Sequence, residues 1–221
     1  MTIDAFFRKQ MDVPDKLAAR LFQTTCWICE YHQAQHRLSG ELYLEHCFSV
    51  MGDILDISRD PIVIAAGGLP EEIIIAGGLH DMVEDTDVTL EIIAAVFGAD
   101  VAYLVEGCTK KPLELFGGDV VARQRDLHLT ILTHAARHYG VILIRLGCRN
   151  HNLKTIDGLA LDRQLFMAQD TLDFYVPMLE NEARRLVPVH LHHWLDHYAH
   201  ELDHYAQAKL PGKLSAKLPS S

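Results

Sequence analysis

The sequence predicts an all-α protein with at most a minor strand content. Apolar residues recur at helical spacing in most segments, and residues typical of helix ends bound several of these segments. Hydrophobic residues make up 49% of the 221 residues and charged residues 23%, which is ordinary for a globular domain with a core. We expect one domain over residues 16–205, between a lead-in at 1–15 and a flexible tail at 206–221.

The first two predicted helices flank a loop. Asp15 is a suitable N-cap for a helix over residues 16–35, and a second helix is expected over residues 43–57. A Ser-Gly step interrupts the helical spacing between them, so this stretch is predicted to be a loop that carries Arg37. His46 then lies near the start of the second helix.

Residues 62–79 are strongly apolar, and we expect helix here rather than strand. Their β-branched content would suit a strand, but Pro70 followed by two glutamates is typical of the first turn of a helix. The pieces IAAGGLPEE, from Ile64, and IAGGLHDMVE, from Ile75, nearly repeat each other. Two copies indicate a short local duplication rather than a repeat fold.

The rest of the chain is predicted to be helical between loops that carry glycine or proline. The expected helices cover residues 90–97, 100–109, 120–139, 141–153 and 162–186, and Pro177 is expected to kink or split the last of these. A histidine-rich helix follows, with one stripe formed by His193, His197, His200 and His204. Such a stripe could bind a transition metal, but an amphipathic helix with an interfacial histidine face is the preferred interpretation.

The segment HDMVEDT, residues 80–86, concentrates ionisable side chains at the end of an apolar run. If this segment is helical, His80 and Glu84 share one face, and Asp81 and Asp85 lie on a neighbouring face. A divalent metal ion would neutralise carboxylates that otherwise repel one another, and would polarise a water molecule. A solvated acidic helix end is the alternative. The His-Asp pair and the apolar approach favour the metal site.

Net charge, cysteine content and the length of apolar runs exclude several classes of protein. A net charge of −10 does not suit a general nucleic-acid binder, although a small phosphorylated substrate is compatible with it. The five cysteines, the absence of a signal-like start and the lack of an apolar run of ~18 residues predict a cytoplasmic protein without a disulfide framework or membrane span. The Cys26 and Cys29 pair is interpreted as core packing.

Five segments resemble, in the same order, the hydrolase domain of the RelA/SpoT family, a branch of the HD superfamily of metal phosphohydrolases. They are SGELYLEH (39–46), GGLHDMVEDTDVTLEII (77–93), FGADVAYLVEGCTK (97–110), LIRLGCRNHNLKT (143–155) and TLDFYVP (171–177). The resemblance implies an all-α bundle around one metal ion, usually Mn²⁺. It also implies removal of the 3′-diphosphate from guanosine 3′,5′-bis(diphosphate), ppGpp, or its pentaphosphate relative, pppGpp, to give GDP or GTP and pyrophosphate. We expect a small stand-alone hydrolase, since no synthetase half follows.

The resemblance also assigns roles to individual residues. It implies that the metal ligands include His46, His80 and Asp81. Two carboxylates, Glu84 and Asp85, would orient and activate the attacking water. The nucleotide would be contacted by Arg37, Asn152 and Thr155. Positive charge for the phosphates is expected from Arg37 and Arg149. The lysines at positions 110, 111 and 154 are interpreted as solvated surface residues.

Three departures from the family pattern leave the function open. Cys148 stands where the family has an aspartate as the fourth metal ligand, Gln169 stands where it usually has an arginine, and the segment between His46 and His80 is longer than usual. A thiolate ligand would favour Zn²⁺ or Fe²⁺ over Mn²⁺, and a bystander Cys148 would leave a three-liganded site. The alternatives are a weakened domain that binds a nucleotide and regulates, or an HD phosphohydrolase for another nucleotide. The sequence leaves the oligomeric state open.

Overall fold

The computed structural model describes residues 13–210, and this range is helical apart from turns, loops and one isolated bridge between His36 and Leu42. The all-α prediction is confirmed. The α-helices of the described range are α1 (Asp15–His32), α2 (Tyr43–Ser58), α3 (Pro61–Ala65), α4 (Glu71–Leu79), α5 (Met82–Asp85), α6 (Leu90–Phe97), α7 (Ala99–Cys108), α8 (Val120–Ala135), α9 (Gly140–Lys154), α10 (Leu161–Asp170), α11 (Val176–Glu180), α12 (Glu182–Leu186) and α13 (His192–Lys209). Within residues 13–210, no helix is long and apolar enough to cross a membrane.

Helix α9 is the central element of the bundle. All of its residues except Asn152 and Lys154 are buried, and it packs against α2, α4, α7, α8 and α13. A helix that is apolar on every side for most of its length must be surrounded by other helices. Its last two turns are polar although buried, so they can present ligands inside the protein.

Two glycines bring α4 close to α2. A Cβ atom at Gly77 would lie only 2.4 Å from Ile54 Cδ1, and one at Gly78 would lie 2.7 Å from Met51 Sδ. No real side chain could be accommodated at these distances without a shift of its neighbours. This close approach places the end of α4 beside the first turn of α2, where His46 lies.

The two pieces of the apparent duplication have different structures. The first Gly-Gly pair, Gly67 and Gly68, adopts positive φ angles of 108° and 85° in a loop after α3. The second pair lies inside α4, packed against α2. Pro70 and the two glutamates that follow it do begin a helix, as predicted.

Several predicted boundaries are corrected by the structure. Asp15 is the first residue of α1 rather than its N-cap, because Pro14 occupies that position. The predicted helix over residues 162–186 is divided into α10, a π-helical turn at Thr171–Tyr175, α11 and α12, since Pro177 has no N–H to donate to the preceding turn. Helix α13 extends to Lys209, into the predicted tail, and residues 1–12 and 211–221 lie outside the described residues.

The HDMVEDT segment is not one continuous helix. Helix α4 ends at Leu79 and α5 begins at Met82, so His80 and Asp81 form the turn between them. The assumption that the segment is one helix with two shared faces is therefore wrong. The interpretation of the CxxC pair as core packing holds for Cys29, which packs against the core, but not for Cys26, which is exposed.

Candidate active site

Three buried side chains from three different helices converge on one point. The ligand atoms of His46 on α2, His80 at the end of α4 and Cys148 on α9 lie within 4.8 Å of one another. The distance from His46 Nε2 is 3.2 Å to His80 Nε2 and 3.7 Å to Cys148 Sγ. Between Val13 and Leu210 this is the one group of histidine, cysteine or acidic side chains arranged to hold a metal ion.

Asp81 completes the set of four predicted ligands on one side of this cluster. Its Oδ2 atom lies 3.4 Å from His46 Nε2 and 3.2 Å from His80 Nε2. The Tyr43 hydroxyl donates to the same oxygen over 2.9 Å. Burial raises the pKa of Asp81, but the neighbouring His80 and hydrogen bonds from both histidines hold it well below its usual range. Asp81 is therefore a carboxylate.

Hydrogen bonds to the other ring nitrogens direct the lone pairs of the two imidazoles inward. His80 Nδ1 donates to the carbonyl oxygen of Gly77 over 2.8 Å, and His46 Nδ1 lies 3.0 Å from His151 Nδ1. Burial, with the nearby His46 and Arg37, lowers the pKa of His151 to about 2, so a neutral His151 accepts the proton of His46. Each Nε2 atom can then bind a cation once it has lost the proton that it donates to Asp81 or Cys148.

The negative charges of Asp81 and Cys148 stabilise a positive charge in the space between the predicted ligands. Burial lowers the pKa of His80, but Asp81 and Cys148 raise it to about 10. Burial raises the pKa of Cys148, yet Arg145, His80 and hydrogen bonds from both histidines hold it well below its usual range. The thiolate is the form of cysteine that binds metals. The residues present therefore fit a divalent metal ion.

Two further carboxylates border the cluster. Glu84 Oε1 accepts from the Lys110 backbone N–H over 2.6 Å, and Glu84 Oε2 lies 3.4 Å from Lys110 Nζ. Burial and the nearby Asp81 raise the pKa of Glu84, although Lys110 opposes this. Asp85 accepts from the Tyr43 hydroxyl, and burial raises its pKa as well.

The interpretation of Lys110 as a solvated surface residue is wrong, because its ammonium group is only partly exposed and pairs with the partly buried Glu84. The other two lysines agree with their predicted surface positions. Lys111 pairs with Asp126 and is 54% exposed, and Lys154 pairs with Glu201 and is 40% exposed.

The three predicted nucleotide contacts lie together. Arg37 Nη1 donates to Thr155 Oγ1 over 3.1 Å, and Arg37 Nη2 donates to Asn152 Oδ1. Arg149 occupies a different place. Its guanidinium donates to Asp170 Oδ2 over 2.6 Å and lies 4.3 Å from the centre of the Tyr175 ring.

A cavity of ≈ 910 Å³ lies beside the cluster, although neither Glu84 nor the four predicted ligands line it. Asp85, Arg37, Asn152, Thr155 and Arg149 all line it. Six of its lining residues are basic and three are aspartates, the basic ones being Arg37, Lys110, Arg123, Arg145, Arg149 and Arg163. A local formal charge of +3 in a chain of net charge −10 suits an anionic ligand. Gln169 is exposed, pairs with Asp173 and does not line the cavity.

Sequence reasoning missed three residues of this site. Tyr43 bridges Asp81 and Asp85, Arg145 donates to the Tyr175 hydroxyl and lies beside Cys148, and His151 supports His46. Tyr43 and Arg145 each stand three residues before a ligand on the same helix, at a spacing that shares a helix face. That spacing is the signal that could have identified two of the three.

We expect Asp170→Asn to destabilise the protein by about 3–5 kcal/mol, because it leaves the buried Arg149 without its charge partner. The two side chains are only 7% and 8% exposed. Burial raises the pKa of Asp170, but the hydrogen bond from His128 and the charge of Arg149 lower it by more, so the pKa lies below its usual value. Its stabilising contribution is therefore full above the unfolded pKa of ~3.9 and is lost as the pH falls through the folded pKa.

Thermal unfolding monitored by circular dichroism between pH 3 and 7 would measure this effect. The matched control is Asp196→Asn, which removes the carboxylate of an exposed pair with Arg184 and should leave the midpoint unchanged. Equal midpoints for Asp170→Asn and the parent protein would show that the pair adds nothing to stability.

The comparisons with known proteins agree with this geometry. The HD domain family matches residues 26–184, and the chain belongs to that family. It is 35% identical over 165 residues to a Synechocystis protein named probable guanosine-3′,5′-bis(diphosphate) 3′-pyrophosphohydrolase, covering 75% of this chain and 20% of that protein. It is 36% identical over 151 residues to a GTP pyrophosphokinase of Myxococcus xanthus, and the alignment covers 66% of this chain and 18% of that protein.

A solved structure of a metazoan ortholog of SpoT has the same fold. It aligns with a TM-score of 0.57 at 24% identity, covering 86% of this chain and 97% of that one. The family match and the curated relatives confirm the resemblance to the RelA/SpoT family. The chain spans about one fifth of the length of the two curated relatives described above.

Proposed function

We propose that the chain is a metal-dependent hydrolase that removes the 3′-diphosphate from ppGpp or pppGpp, releasing pyrophosphate and GDP or GTP. The observation that carries this proposal is the cluster of His46, His80, Asp81 and Cys148 directly behind the wall of a basic cavity. Tyr43 and Asn152 line that cavity and donate hydrogen bonds to Asp81 and Cys148. The names of its relatives support the choice of substrate. The substrate is a small nucleotide, and the cytoplasmic location stays a prediction.

His46, His80, Asp81 and Cys148 would hold the divalent ion. When bound, this ion would polarise the diphosphate and lower the pKa of a water molecule. Manganese is the ion that the RelA/SpoT resemblance implies. The Cys148 thiolate is a soft ligand, so Zn²⁺ and Fe²⁺ are the alternatives.

The residues of the chain supply proton transfer and orientation. Glu84, whose raised pKa suits a general base, accepts the proton of the attacking water, and Lys110 holds its carboxylate in place. The water oxygen bonds to the phosphorus nearest the sugar, and the bond from that phosphorus to the 3′-oxygen breaks. The 3′-oxygen takes a proton from solvent and leaves as a hydroxyl, and Glu84 returns the proton it accepted to solvent. Asp85, held by Tyr43, orients the water.

The cavity walls bind the two ends of the nucleotide. Arg37, fixed by Asn152 and Thr155, would hold the guanine. Arg123 and Arg163, which also line the cavity, would contact the phosphates. Because Arg149 is paired with Asp170, we assign it to the structure of the cavity wall and not to direct binding of the phosphates.

Metal analysis of the purified protein combined with pyrophosphate release from ppGpp tests this proposal. We expect one divalent ion for each chain and turnover that chelation removes and the same ion restores. GDP, which lacks the 3′-diphosphate, should release no pyrophosphate. A metal-loaded protein that leaves ppGpp intact would contradict the proposal.

A weakened domain that binds a nucleotide without hydrolysing it is the second candidate, and Cys148 is the feature that favours it. Tight ppGpp binding without pyrophosphate release under Mn²⁺, Zn²⁺ and Fe²⁺ alike would support this regulator. Hydrolysis of a different phosphorylated nucleotide under the same conditions would instead indicate another HD phosphohydrolase.

His151→Ala should weaken metal binding by ~10–100-fold, because outer groups that orient a metal-binding histidine have effects of this size. His151 accepts the proton of His46 Nδ1, so its removal leaves the imidazole free to rotate and to change tautomer. Isothermal titration with the native metal would measure the loss. His200→Ala, at an exposed position on α13, is the control, and equal affinities in the two variants would argue against an orienting role.

A further inference from the structure

The hydroxyl of Tyr43 joins two carboxylates with different roles in the proposed reaction. It donates to Asp81 Oδ2, a predicted metal ligand, over 2.9 Å, and it also contacts Asp85 Oδ2, which is assigned to orienting the water. Tyr43 is the first residue of α2, and helix ends fray. A hydroxyl at a helix end that must meet two groups at once needs its ring to be held by residues outside that helix.

His32 lies against the flat face of the Tyr43 ring. The two ring centres are 4.8 Å apart and the ring planes differ by only 13°. His32 is the last residue of α1 and is completely buried, so its imidazole cannot move away without opening the core. His46 contacts the same Tyr43 ring edge-on, with the ring centres 6.2 Å apart. The stacked histidine therefore restricts the tilt of the tyrosine ring.

Gln35 connects the end of α1 to the start of α2 and the end of α5. Its Oε1 lies 2.7 Å from His32 Nδ1, its Nε2 donates to the carbonyl oxygen of Asp85 over 2.9 Å, and its own carbonyl oxygen accepts from the Tyr43 N–H over 2.9 Å. Because the amide nitrogen is used by Asp85, the amide oxygen faces His32, and Nδ1 carries the proton. His32 Nε2 has no hydrogen-bond partner within residues 13–210, so Gln35 sets the orientation of this imidazole.

Neither His32 nor Gln35 lines the basic cavity, and neither belongs to the group of candidate metal ligands in the described range. Their effect on the site is therefore indirect. Helix α5 has only four residues, and a helix of one turn has little stability of its own. The bond from Gln35 to the Asp85 carbonyl thus holds the end of a segment that would otherwise be weakly fixed.

We propose that His32 and Gln35 are positioning residues for the hydrolysis. They hold the Tyr43 hydroxyl between Asp81 and Asp85, so that the metal ligand and the water-orienting carboxylate keep a fixed separation. This inference rests on the function proposed above, and it assigns to these two side chains an action through Tyr43 rather than a contact with the nucleotide.

A double-mutant cycle tests the proposal with two measurements, steady-state hydrolysis of ppGpp and calorimetric titration with the divalent ion that metal analysis identifies. His32→Leu should lower kcat and the affinity for the ion, each by ~10-fold or more, the usual effect of groups that orient metal ligands. KM should stay within about twofold, because His32 does not line the cavity. In a Tyr43→Phe background, the same substitution should change kcat and affinity by less than about twofold, because the hydroxyl that His32 positions is absent.

Gln35→Leu should reproduce the losses of His32→Leu, and it also depends on Tyr43 in the same cycle. The matched control is Gln33→Leu, at an exposed position two residues away whose amide donates to the Glu30 carbonyl oxygen. This variant should keep the parent kcat and metal affinity. Thermal unfolding shows whether each variant is folded, and if His32→Leu is not, Gln35→Leu takes its place because it leaves the buried ring intact.

Independent effects would overturn the proposal. If the losses caused by His32→Leu and Tyr43→Phe multiply in the double variant, or if folded His32→Leu keeps the parent kcat and metal affinity, then His32 does not act through Tyr43. A parent protein that leaves ppGpp intact would contradict the proposed function instead. The cycle in metal affinity would still show whether His32 and Gln35 position Tyr43 against Asp81.

Discussion

Glu84→Gln will lower the rate of ppGpp hydrolysis by ~10²–10⁴-fold, the usual contribution of a positioned general base. Glutamine has nearly the same shape and can still accept the Lys110 N–H, but it cannot take a proton from water. Because Glu84 is outside the group of metal ligands, the affinity for the divalent ion should stay largely intact. Steady-state pyrophosphate release and titration calorimetry measure the two effects separately.

Glu201→Gln is the matched control for this substitution. It makes the same chemical change on α13, where Glu201 pairs with Lys154 away from the substrate cavity, and turnover should be unaffected. Unchanged turnover in Glu84→Gln would remove Glu84 from the reaction, and a loss of metal binding would make it a ligand.

Cys148→Asp is expected to increase the affinity for Mn²⁺, and with it the Mn²⁺-dependent hydrolysis of ppGpp. Aspartate is the hard oxygen ligand that manganese prefers, whereas a thiolate prefers softer ions. The gain should be at least about 10-fold, because even outer groups that only orient the ligands change metal affinity by this much. The same substitution should weaken binding of Zn²⁺. Titration with each ion and a pyrophosphate assay in each ion would measure both.

Two further variants show whether the sulfur atom itself is responsible. Cys148→Ser removes the thiolate without supplying a carboxylate, so it should weaken binding of both ions. Cys26→Ser changes an exposed cysteine far from the cluster and should change neither. If Cys148→Asp matched the parent protein with every ion, Cys148 would not be the fourth ligand.

The residues that meet at the cluster were predictable because the segments that carry them resemble the RelA/SpoT hydrolase domain, and the resemblance assigns these positions to the metal ligands. His46, His80, Asp81 and Cys148 come together although they are far apart in the sequence. Their local geometry was less predictable. The turn at His80 and Asp81 is held by Tyr43 on another helix and by the packing of Gly77 on α2, and periodicity within one segment contains neither contact.

Partner choice among charged side chains was also beyond sequence reasoning. Lys110 faces Glu84, which stands 26 positions earlier, and Arg149 faces Asp170, because the bundle brings α9, α10 and the loop after α7 together. The two Gly-Gly pairs illustrate the same limit. Two nearly identical segments form a loop at Gly67 and Gly68 and a packed helix at Gly77 and Gly78, because tertiary contacts outweigh local propensity.

The cavity and the rest of the molecule carry formal charges of opposite sign. Subtracting its formal charge of +3 from the net −10 leaves −13 on the rest of the sequence. A small nucleotide approaching the mouth is drawn inward over about one Debye length, whereas a long polyanion must also lie against the repelling outer surface. The charge distribution therefore selects anions by their size before any specific contact forms, and this selection weakens as the salt concentration rises.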